Sequence, residues 1–61
     1  MKLNFTKHTL KRMKERGIRQ DQVTRTVRHG EEVDALDPTR RKFTYGGLTV
    51  VLWNKTVITA Y

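Results

Sequence analysis

The sequence predicts an α+β domain: two N-terminal helices packed on one face of a four-stranded antiparallel β-meander. Three observations predict it. Apolar residues recur at helical spacing up to Gly30 and at a period of two after it. Gly17, Gly30, Pro38, Gly46-Gly47 and Asn54-Lys55 cut the chain into segments of element length. The segments run helix, helix, then strands, the order of helices laid on one side of an antiparallel sheet. With 61 residues and no cysteine, residues 1–61 make a single small domain that rests on one core without disulfides.

Each element has its own signal. Thr6 is an N-cap, and Phe5 before it is placed to staple onto Leu10. Leu10 and Met13 then form the inward stripe of the first helix, and Gly17 ends it in a left-handed conformation. The second helix runs from Gln20 to His29, with Val23 and Val27 as its stripe and Gly30 as its stop. Its cap position holds Arg19, a weak start signal. Glu31 to Leu36 reads as a strand and Asp37-Pro38-Thr39-Arg40 as a turn. Arg41–Tyr45 and Leu48–Trp53 flank Gly46-Gly47, a two-residue hairpin signal. Asn54-Lys55 joins Trp53 to a last strand, Thr56–Tyr61.

Two-residue loops pair Tyr45 with Leu48 and Trp53 with Thr56, and so assign the faces. One face carries Phe43, Tyr45, Leu48, Val50, Leu52, Val57, Thr59 and Tyr61 and should receive the helices. The other carries Lys42, Thr44, Thr49, Val51, Trp53, Thr56, Ile58 and Ala60. That second face is apolar enough to suit a partner or a homodimer.

Charge narrows the function. The formal net charge is +7, from 13 Lys and Arg against 6 Asp and Glu. Through Gly30 there are nine basic residues and two acids, or +7; beyond it there are four and four, or zero. One half therefore carries the whole charge, an oriented positive field suited to a phosphate backbone. An acidic protein or an anionic lipid surface would also suit such a field. No apolar run reaches the about 18 residues of a membrane span. The opening Met1–Asn4 lacks the apolar stretch of a signal peptide, so a cytoplasmic setting is expected. Two histidines and six carboxylates without cysteine are thin material for a metal site, and no motif calls for a cofactor.

His8, Arg12 and Arg16 follow one another at spacing four and share a helix flank. RNA cleavage through the 2′-hydroxyl needs a general base, a general acid and a cation on the phosphate, and these residue types supply them. A surface histidine on a solvated basic helix is the plain alternative. Lys11 and Lys14 add cations round the same helix, and Arg41 and Lys42 follow the Pro38 turn, where they suit phosphate contact. Tyr45, Trp53 and Tyr61 offer base stacking or core packing. Thr59 and Tyr61, two apart on one strand, point to one face.

The stretch Thr6–Ile18 resembles the opening of a family of small bacterial and phage domains with the pattern H-x3-R-M-x2-R-G-I. Val23, Val27, Gly30-Glu31 and the closing Val57–Tyr61 strand extend the resemblance over nearly the whole chain. That family has been grouped with the barnase–EndoU–colicin–RelE superfamily of small ribonucleases, many of them toxins with paired antitoxins. The resemblance implies a metal-independent endoribonuclease of toxin type. His8, Arg12, Thr59 and Tyr61 would be its catalytic residues and an antitoxin protein its partner, and the charge pattern adds Lys11, Arg16, Arg41 and Lys42 as contacts to the RNA. A non-catalytic module that binds nucleic acid or protein on the same fold is the alternative. Short strand-linking loops and Arg19 at the second helix cap depart from the family pattern.

Overall fold

The computed structural model describes residues 2–61. The first strand, β1 (Asn4–Phe5), leads into helix α1 (Lys7–Glu15) and then α2 (Gln20–His29). Four strands follow: β2 (Glu31–Val33), β3 (Arg40–Tyr45), β4 (Leu48–Trp53) and β5 (Thr56–Ala60). The class is α+β as expected, but the sheet has five strands in the order β1-β5-β4-β3-β2. β1 pairs in parallel with β5, Asn4 beside Thr56 and Phe5 beside Val57, and all other pairs are antiparallel. Two residues carry too little periodicity to announce a strand. They become one because the chain entering α1 passes along the edge of β5, where Asn4 N–H donates to the Lys55 carbonyl at 2.7 Å.

Local chemistry fixes the helix starts. The Thr6 hydroxyl accepts from Thr9 N–H at 3.0 Å, the expected N-cap. At α2 a guanidinium has no lone pair to accept with, so Arg19 cannot cap through its side chain. Gln22 supplies half of a capping box instead, its Oε1 accepting from Arg19 N–H at 2.7 Å. Gly17 ends α1 at φ +70°. Gly30 ends α2 for a steric reason: a Cβ there would fall on the backbone carbonyls of Thr26 and Thr44, where α2 crosses into the sheet.

The hairpin at Gly46-Gly47 has both φ values positive, 56° and 86°, as a type I′ turn requires, and it pairs Tyr45 with Leu48. Asn54 holds φ 61°, and Trp53 pairs with Thr56. The first strand after α2 is shorter than its sequence suggested. It stops at Val33, and Leu36 is fully exposed in the following loop, because Asp37 organises that loop locally. The Asp37 carboxylate accepts from the Thr39 N–H at 2.9 Å and from the Thr39 hydroxyl at 2.7 Å.

α1 lies on β5 and α2 lies across β3 and β4, all on one face of the sheet. The core between them is Leu3, Met13, Val23, Val27, Phe43, Val50, Leu52, Val57 and Ala60, flanked by Phe5, Ile18 and Leu48. Leu10 stays largely at the surface and Thr9 takes its expected inward place. A β-bulge explains the one reversal in the sheet. Leu52 faces Val57 but Val51 faces Thr59, so Ile58 is an extra residue. Beyond it the faces switch: Ala60 enters the core opposite Val50, and Thr59 and Tyr61 turn to the outer face.

Candidate nucleic-acid interface

α1 presents three lysines, Lys7, Lys11 and Lys14, on its solvent side, with His8 beside them. None of the four forms an ion pair among the described residues. The ion pairs formed are Arg12–Glu15, Arg19–Asp21, Arg40–Asp37 and Arg41–Glu32. Four of the six acids are thus committed to arginines, and the lysine face of α1 keeps its charge unopposed at close range. Thr9 and Met13 hold the opposite side of the helix against the sheet. They keep the lysine stems pointed outward.

Arg12 and Arg16 continue from His8 along one flank. Arg12 is half exposed and lies 3.6 Å from Glu15. Arg16 is structural: its Nη1 donates to the Ala60 carbonyl at 2.9 Å. The reason lies in the ladder. Thr49 and Tyr61 exchange both backbone bonds, so Ala60, one position before, points its N–H and C=O away from β4. β1 is too short to reach that carbonyl, and Arg16 covers it. The Thr9 hydroxyl does the same for the Val57 and Ile58 carbonyls, at 2.9 and 3.2 Å. Thr9 of α1 and Arg16, its C-cap, thereby close the edge that β1 leaves open.

The four residues expected to make a catalytic group are not gathered. His8 and Arg12 ride on α1, on the helix side. Thr59 and Tyr61 share a face as expected, but the bulge at Ile58 sets it on the opposite side of the sheet. Lys42 stands on that outer face too, opposite Val51, and Trp53 and Tyr61 are both about half exposed. Arg41, one residue earlier, faces the helix side. Glu32 accepts from its Nε and Nη2 at 2.9 Å each, and its Cζ lies 5.2 Å from the centre of the Phe43 ring. Lys11 and Lys42 therefore remain open to a phosphate, and Arg16 and Arg41 are held by the protein itself.

Three groups are shifted from their ordinary values. Hydrogen bonds from Arg41, with its charge, hold the Glu32 carboxyl below 4.5. Hydrogen bonds from the Thr39 hydroxyl and N–H, with the charge of Arg40, hold Asp37 below 3.8. The hydrogen bond to Glu32, with its charge, raises Arg41. No three His, Asp or Glu side chains converge on a metal position among the described residues. No helix among them is long and apolar enough to cross a membrane.

The clamp of Arg41 by Glu32 was hidden in the sequence because the two residues are nine apart on neighbouring strands. Only the β2–β3 register, Glu32 beside Phe43, brings them together. Thr9 was equally hidden, since a threonine in a helix gives no sign that a strand edge needs its hydroxyl.

No curated protein and no solved structure matches the chain significantly. The family described as a domain of unknown function, DUF4258, matches residues 5–61, from the first strand to the end of the sheet. The small α+β unit built here from β1 to β5 is thus a member of the DUF4258 family.

Proposed function

We propose that the domain is a nucleic-acid-binding module that holds RNA by its phosphate backbone on the exposed face of α1. The observation that carries this is the set of three unpaired lysines, Lys7, Lys11 and Lys14, on a helix fixed to the sheet by Thr9, Met13 and Arg16. The long-range field of a chain with net charge +7 steers a polyanion to that side. The shallow, open setting of these side chains suits contact with a backbone, which needs proximity and charge more than enclosure.

A salt titration of RNA binding tests it. Three phosphate contacts on a single strand give a log–log slope of about −2, or roughly 20-fold weaker binding between about 50 and 200 mM salt. The triple change Lys7→Gln, Lys11→Gln, Lys14→Gln should flatten the slope toward zero while leaving the fold intact. An unchanged slope in that variant would remove α1 from the interface.

A second reading is a metal-independent endoribonuclease of toxin type, neutralised by an antitoxin. Its support is that His8 and Arg12 share one solvent-open flank beside the lysines. His8 would move the proton and Arg12 would hold the phosphate. Thr59 and Tyr61 have no part in this version, because they lie across the sheet. A gel assay on mixed RNA with EDTA present separates the two readings. Cleavage by the wild type and not by His8→Ala supports the enzyme. A salt-sensitive mobility shift without cleavage products supports the binding module.

A further inference from the structure

A second concavity of the domain lies away from α1. It opens at the end of the sheet where β3 begins and β4 ends, with a volume of about 620 Å³. Its floor is apolar: Leu3, Val27, Phe43 and Leu52, all buried. Trp53, Pro38 and Thr39 stand at the rim together with two cations and an amide, Arg41, Lys55 and Asn54.

Each polar group has a defined chemistry. The Arg41 guanidinium is held in place by the two hydrogen bonds it donates to Glu32 and by the Phe43 ring beneath it, yet 64% of the side chain is exposed. A planar cation fixed in this way is a stacking surface for a planar ring. Asn54 heads the β4–β5 turn, and its amide offers a donor and an acceptor side by side. Lys55 has no carboxylate partner among the described residues, whereas the charge of Arg41 is balanced by Glu32. An incoming anion is therefore drawn to Lys55. The volume falls in the about 300–1,000 Å³ range of small-ligand sites, too small for a duplex.

We infer that this cavity binds a nucleotide. The base lies against the Arg41 plane and the apolar floor, Asn54 pairs with the base edge, and Lys55 holds the phosphate. The nucleotide is either free or an unstacked residue of an RNA strand, and the second source rests on the RNA-binding reading above.

Trp53 is the only tryptophan of the chain and lines the cavity, so its fluorescence reports occupancy directly. The purified domain is titrated with AMP, UMP, ribose 5-phosphate, inorganic phosphate and a short single-stranded RNA. AMP or UMP should change Trp53 emission saturably, and ribose 5-phosphate and phosphate should not. Lys55→Gln, at an exposed turn and harmless to folding, should weaken the mononucleotide roughly tenfold, the effect of one charge-assisted hydrogen bond. Arg41→Gln should weaken it similarly. Competition between the short RNA and AMP supports the inference with a strand as the source; AMP binding without competition supports it with a free nucleotide. Ribose 5-phosphate acting as well as AMP, or Trp53 silent to every nucleotide, overturns it. The α1 reading fails separately, through the salt slope of the triple lysine variant, in which Lys55 and Trp53 are untouched.

Discussion

Thr9 does more for this fold than its type suggests. It is 2% exposed, accepts from the Thr6 hydroxyl at 2.8 Å, and donates to two strand carbonyls. One hydroxyl thus joins the N-cap of α1 to the edge of β5. Thr9→Val keeps the shape and removes the hydroxyl, leaving those carbonyls without their protein donor. The expected loss is about 1–3 kcal/mol, the range for an orphaned buried polar group, read from urea unfolding. A change within about 0.5 kcal/mol would mean that water takes the place of the hydroxyl. The lysines of α1 behave differently. They are exposed and form no ion pair among the described residues, so their substitution changes binding and leaves the unfolding midpoint nearly where it was.

The bulge at Ile58 is the element on which the candidate site turns. A regular ladder from Trp53–Thr56 would put Thr59 and Tyr61 under the helices, and the extra residue puts Ala60 there instead. The two registers make opposite predictions. Ala60→Lys places an ammonium in the core opposite Val50 and should cost about 3 kcal/mol or more, or prevent folding. Thr59→Lys sits on the outer face and should cost less than about 1 kcal/mol. Thermal melts of the two variants decide it; the reverse order would restore the unbulged register. β1 shows the same dependence on context. Asn4 and Phe5 are a strand only because β5 lies beside them, and the edge they leave open past Val57 is closed by Thr9 and Arg16.

Across the whole molecule, charge is sorted by face and by partner. Four arginines are tied to acids, and the lysines of α1 are not. The pH response follows from the acids. Glu32 and Asp37 have folded values below their ordinary 4.5 and 3.8, so the unfolded chain binds more protons there. Their stabilisation is complete above those ordinary values and is lost as pH falls through the depressed ones. Arg41 has the opposite sign, its contribution complete below the ordinary arginine range and lost only in stronger base, as pH rises through its raised value. Urea midpoints should therefore hold steady from neutral pH down to about pH 5 and fall below it. Glu32→Gln should make that acid fall shallower. An equally steep fall in the variant would show that the clamp on Arg41 contributes nothing to acid stability. The step is small, since both carboxylates lie at the surface.

How much the sequence determined by itself follows from the range of each signal. Helix caps, glycine stops and two-residue turns act within a few residues. The boundaries of α1, α2 and the two hairpins were therefore legible, as were the Tyr45–Leu48 and Trp53–Thr56 pairs. The uneven charge was legible for the same reason, because it needs only counting. What the tertiary structure decided lies between distant residues: the parallel strand at Asn4–Phe5, the short β2, the bulge at Ile58, and the hydroxyl of Thr9 against β5. The site divided along the same line. His8, Lys11 and Arg12 stayed together because one helix holds them. Thr59 and Tyr61 parted from them because a single added residue in an alternating strand exchanges its two faces, and only packing Ala60 against Val50 selects which face is buried.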